Sequence, residues 1–167
     1  MDWSIGAYAS QYYNTEPAGL LTHGNANFLD QYLLALTASK TVWRALSLEI
    51  DGMIGQQAGR ASLSEIAVAP VLRWSSFPWK KILQTDVRFA PFGISYTSDV
   101  SPLEQGKDGN GSHALNLLLI EFDFSLPQVK SKEVFVRLHH RCAIYDYLNT
   151  YGANGEDFLS LGYRQFF

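Results

Sequence analysis

Three side chains near the C-terminus have the chemistry of a nucleophilic catalyst: His140, Cys142 and Asp157. Read with a period of two, residues 133–145 place Val134, Val136, Leu138, His140 and Cys142 on one face, with Ile144 continuing it. Phe135, Arg137, His139, Arg141 and Tyr145 share the other face. The closing run splits in the same way, with Asp157, Leu159, Leu161 and Tyr163 opposite Phe158, Ser160, Gly162 and Arg164. Each of the three reactive residues therefore interrupts an otherwise apolar face. A histidine with a thiol two residues on and a carboxylate across a hairpin supplies a nucleophile, a general base and an orienting acid. If the apolar face meets lipid, polar groups there are costly, and a functional role is the default reading.

Other chemistries find little support. His139 and His140 are adjacent, so on a strand their rings point to opposite faces and offer no metal-ligand spacing. His139 has the parity of Arg137 and Arg141 and reads as structural. There is no phosphate-cradling glycine loop and no nucleic-acid motif. No metal and no cofactor are expected. The net charge of −3 gives no general pull toward nucleic acid or anionic membranes. One cysteine in the chain excludes an intrachain disulfide.

The elements that would position these residues are strands. Eight alternating segments cover residues 2–13, 28–38, 42–54, 64–74, 82–96, 114–125, 133–145 and 157–167. Charges break a helical stripe but respect period two: Leu46, Leu48 and Ile50 alternate with Ser47, Glu49 and Asp51. Each segment is about as long as a membrane-crossing strand of about 9–11 residues or somewhat longer. The connections 14–27, 55–63, 97–113 and 146–156 read as long, and those at 39–41, 75–81 and 126–132 as shorter. This alternation predicts an all-β, eight-stranded antiparallel transmembrane barrel of the outer-membrane kind, one domain over residues 1–167, with both termini on the short-turn side.

One face gathers Glu49, Asp51, Glu65, Arg73, Asp86, Arg88, Glu121, Asp123, Arg137, Arg141 and Arg164, both signs on neighbouring strands, as an ion-paired interior requires. The other carries Leu, Val, Ile and Phe. Trp3, Trp43, Trp74 and Trp79 fall near segment ends, where an interfacial aromatic girdle sits. Lys80, Lys81, Lys130 and Lys132 read as solvated charges of the short turns. No apolar run is long enough for a transmembrane helix. Met1, followed at once by Asp2-Trp3 on a strand-like pattern, reads as the start of a mature chain rather than of a signal peptide. A soluble barrel of lipocalin type, carrying an apolar ligand in its lumen, has the same periodicity turned inside out.

The run Val136-Arg137-Leu138-His139-His140-Arg141-Cys142, with the closing strand that begins at Asp157 and ends on Phe167, resembles the lipid A deacylases of the PagL type. The resemblance covers about the last 35 residues and is architectural before them. It implies an integral barrel of the Gram-negative outer membrane, meeting lipopolysaccharide in the outer leaflet and hydrolysing one of its ester-linked acyl chains with a Ser-His-Glu triad on the lipid-facing wall. The family's histidine and serine fall on His140 and Cys142. Its glutamate falls on Asp157, or on the neighbouring Glu156 if the register slips by one. The family's oxyanion-hole asparagine, next after the nucleophile, is Ala143 here, and loss of one such donor typically costs about 10²–10³ in rate. A catalytically inert barrel that keeps the architecture alone is the competing expectation. Oligomeric state leaves no mark in the sequence.

Overall fold

The computed structural model describes residues 2–14, 27–106, 108–143 and 155–167. Alternation of side chains across a pleated backbone produces long strands: β1 (Trp3–Tyr13), β2 (Phe28–Trp43), β3 (Leu48–Gly59), β4 (Leu63–Trp74), β5 (Gln84–Ala90), β6 (Ile94–Thr97), β7 (Ala114–Ser125), β8 (Lys132–Cys142) and β9 (Glu156–Phe166). β5 and β6 are two halves of one stave, both pairing β4 on one side and β7 on the other. Every other strand pairs antiparallel with its sequence neighbours, and β9 returns to β1 with Ser4 opposite Phe166. The sheet is thus a closed barrel of eight staves, which leaves no strand edge unpaired.

Two connections lie elsewhere than the sequence predicts. β2 runs through residues 39–41, with Ser39 opposite Asp51 and Thr41 opposite Glu49, and the chain turns later, in a 3-10 turn at Arg44–Leu46 that ends on Ser47 at φ 48°. Polar residues usually mark a turn, but Ser39 faces a polar interior and donates to Asp51. The expected long connection at 55–63 is also short. β3 continues to Gly59, because Gln56 and Gln57 pair with Ser64 and Leu63, and only residues 60–62 remain for the turn. The connection 98–113 is long, as its composition predicts, and folds back so that Ser101 and Glu104 are buried. Ile144 and Tyr145 lie outside the described residues, as does much of the first and last long connections.

The barrel is inside out relative to a soluble protein. Arg88, Arg137, Arg141 and Arg164 are among its most completely buried side chains. Arg88 bonds Glu49 at 2.8 Å, Asp51 at 2.9 Å and Glu121 at 2.5 Å. Arg137 shares Asp51 and Glu121; Arg164 bonds Asp123 and Glu121; Arg73 bonds Glu49 and Asp86. The eleven charges assigned to the polar face from the sequence all lie on this inner side. Above this layer Tyr8, Leu33, Leu119, Phe135 and Phe158 form an apolar core. Gly162 makes room for it, since a Cβ there would lie 2.2 Å from the Phe135 ring. The outer wall exposes Ile5, Leu34, Leu36, Ile54, Ile66 and Leu161, an apolar band far larger than the surface of a soluble monomer carries. Lipid satisfies that wall. A lipocalin-like carrier needs an apolar cavity inside, and this lumen is taken up by ion pairs and packed rings.

Candidate functional site

The site forms at the long-connection end of β8 and β9, on the outer wall. In their antiparallel register His140 stands directly opposite Asp157 and Arg141 opposite Glu156. Directly opposed residues on one face are close enough for their side chains to meet. Asp157 Oδ1 lies 2.5 Å from His140 Nδ1. Cys142 lies two residues further along the strand, close enough for its thiol to act electrostatically on the same imidazole. With Nδ1 held by the carboxylate, Nε2 is the nitrogen left for the thiol. Gly155 permits this approach of β9 to β8, because a Cβ there would lie 1.9 Å from the Arg141 carbonyl oxygen.

The side chains of His140 and Asp157 are 19% and 12% exposed, so the pair is reachable from the wall yet shielded enough for its electrostatics to count. The arrangement can take a proton from a thiol at His140, with Asp157 holding the ring's orientation and balancing the charge that forms.

Glu156, the alternative orienting acid, points into the lumen. It accepts from Gln57 Nε2 at 3.0 Å and from the Ser101 hydroxyl. His139 also faces inward, 2.9 Å from Glu65 Oε1 and 3.4 Å from the Tyr8 hydroxyl. Arg141 bonds Glu104 at 2.6 Å beneath the 98–113 connection. Ala143 follows Cys142 just past the end of β8 and offers no side-chain donor. Among the described residues there is no cluster of three or more His, Cys, Asp or Glu side chains suited to a metal ion.

Asn116 belongs to the same neighbourhood, although the sequence pattern did not single it out. It stands opposite Cys142 on β7, and its Nδ2 lies 3.6 Å from the Cys142 sulfur. The available signal was its parity: it is a polar residue in the apolar series Ala114, Leu118, Ile120 and Phe122.

A closed eight-stave barrel with a charged lumen and an apolar outer wall is the outer-membrane type of β-barrel. Solved structures with this fold include the outer membrane enzyme PagL, whose backbone matches over 98% of this chain and 99% of that one at TM-score 0.64 and 14% identity. Neisserial surface protein A matches over 99% and 97% at TM-score 0.53 and 10% identity. The N-terminal β-barrel domain of Pseudomonas aeruginosa OprF matches over 98% and 96% at TM-score 0.50 and 8% identity. At these identities the likeness is one of fold. No protein-family model matches the sequence, and no curated protein does.

Proposed function

We propose that the protein is an esterase of the Gram-negative outer membrane that hydrolyses an ester-linked acyl chain of lipid A in lipopolysaccharide. The observation that carries this reading is the Asp157–His140–Cys142 relay on the outer wall of a barrel whose lumen is filled with ion pairs. An acid hydrogen-bonded to a base, with a nucleophile beside them on a wall facing lipid, is costly to maintain and suits a substrate that arrives laterally in the leaflet.

In the reaction the Cys142 thiol gives its proton to His140 as sulfur attacks the ester carbonyl carbon. The tetrahedral adduct expels the sugar alkoxide, which takes that proton, and an acyl thioester remains on Cys142. Water, deprotonated by His140, then releases the fatty acid and restores the thiol. A thiolate beside lipid is disfavoured by desolvation, and the neighbouring imidazolium offsets that cost.

The wall next to the relay also favours an acyl chain. A groove of about 460 Å³ is lined by Ala9, Gln11, Phe28, Tyr32, Leu159 and Leu161. Leu159 and Leu161 follow Asp157 on the same face of β9, so the groove lies along the wall within about 13 Å of Asp157 at the usual rise of a strand. The fold likeness to PagL, an outer membrane enzyme, supports the same assignment.

The test is mass spectrometry of purified lipopolysaccharide incubated with the protein folded in detergent, beside His140→Ala and Cys142→Ser. Loss of one acyl chain, abolished by His140→Ala, is the expected result. Turnover by Cys142→Ser alone would mean an intact framework with an incompetent nucleophile. Silence from the wild type and from Cys142→Ser would leave an inert barrel and overturn the proposal.

A further inference from the structure

The reaction needs a hydrogen-bond donor for the oxyanion, and position 143, an alanine, has no side-chain donor. We infer that the carboxamide of Asn116, reaching across from β7, is that donor; the inference rests on the esterase reading. Asn116 lies on the same outer face as the relay, directly opposite Cys142. It is only 3% exposed, so its amide is shielded from water.

Its orientation is set by the break between β5 and β6. There Pro91 and Gly93 interrupt the stave and leave a carbonyl and an N–H to be satisfied. Gly93 N–H donates to Asn116 Oδ1 at 3.1 Å, and Asn116 Nδ2 donates to the Pro91 carbonyl at 3.3 Å. An N–H must meet the oxygen and a carbonyl must meet the nitrogen, so the amide has one consistent orientation. That orientation aims the remaining N–H at the Cys142 sulfur, 3.6 Å away.

Acyl attack places a developing oxyanion one bond beyond the carbon that sulfur binds. An oxygen seated between Sγ and Nδ2 is within hydrogen-bond reach of the amide. A donor held in place by other bonds need not reorganise when charge appears, which is the condition for strong transition-state stabilisation. The break itself needs a satisfied carbonyl and N–H, but it does not need the satisfying residue to stand opposite a nucleophile. The two hydrogen bonds to Pro91 and Gly93 explain the fold; the third, to sulfur, is the one with a use in catalysis.

The experiment compares wild type with Asn116→Ala and Asn116→Asp in two reactions of detergent-folded protein. One is acyl release from lipopolysaccharide. The other is alkylation of Cys142 by iodoacetamide, a displacement that forms no oxyanion. Asn116→Asp keeps the shape and the acceptor for Gly93 while removing the N–H donor, so it reports even if Asn116→Ala folds poorly.

The expected result is a fall in kcat of about 10²–10³ with KM little changed in both variants, and alkylation of Cys142 by iodoacetamide little changed in Asn116→Ala. Undiminished turnover in both variants would overturn the inference and leave the esterase reading standing. A parallel loss of alkylation in Asn116→Ala, with the barrel folded, would also overturn it, because the amide would then be supporting the thiol rather than the oxyanion. Absence of turnover in wild type and Cys142→Ser would remove both proposals together.

Discussion

Asp157→Asn removes the charge that holds His140 while leaving the side-chain shape almost unchanged. The wild-type Oδ1–Nδ1 separation is 2.5 Å, and neither side chain is more than 19% exposed. Two losses follow. As the ring takes the thiol proton it becomes cationic, and a hydrogen bond involving a charged group contributes about 1.5–3 kcal/mol, or about one to two powers of ten in rate. An asparagine that turns its N–H toward the ring also selects the tautomer with Nδ1 bare, so that Nε2 carries a proton and cannot accept one. In a fully buried triad that error costs about 10⁴; at this partly exposed wall, where the ring can turn over, the expected total is about 10²–10³.

Glu156→Gln is the matched control. It lies one residue away, but its side chain points into the lumen toward Gln57 and Ser101, so it should keep most of its turnover while losing about 0.5–1.5 kcal/mol of stability. Initial rates of acyl release, read by mass spectrometry beside urea titrations of the same preparations, measure both quantities. Loss of turnover in Glu156→Gln with retention in Asp157→Asn would refute the one-residue register on which the assignment stands. Retention in both would remove the carboxylate from the reaction.

Arg88→Met leaves Glu49, Asp51 and Glu121 without a cation they share, and breaking such a buried set should cost about 3–5 kcal/mol. An unchanged urea midpoint would show that the lumen holds these carboxylates by other means. Gly162→Ala drives a Cβ to 2.2 Å from the Phe135 ring and 2.7 Å from the Ala7 carbonyl. Overpacking of this kind costs about 1–3 kcal/mol, again read by urea titration. Trp3, Trp43 and Trp74 are exposed on the outer wall at the short-turn end, and Trp79 lies in the turn beyond β4. In bilayers their fluorescence should be quenched more by lipids brominated near the headgroup than by lipids brominated near the chain ends. The reverse order would move the girdle, and with it the membrane boundary.

Much of the architecture is legible in one dimension, because a strand in a barrel has only two faces and a residue's parity selects one. That is why alternation by itself separates Arg137, Arg141 and Arg164 from Val136, His140 and Leu161, and why eight alternating segments give the stave count. Polar character misleads about turns for the same reason. Ser39, Thr41 and Gln57 look like loop residues until the interior is known to be polar; they are inward-facing strand residues whose partners lie across the sheet.

Register is what periodicity cannot carry. Whether His140 meets Asp157 or Glu156 turns on a slip of one residue, which would exchange a wall carboxylate for a lumen one. The meeting of Asn116 with Cys142 joins residues 26 apart in sequence, and depends on how β7 and β8 align and on the break at Pro91 and Gly93. Sequence alone decided the faces, since each residue's parity is local. Tertiary structure alone decided which side chains touch, since closure of the barrel fixes every strand against neighbours on both sides.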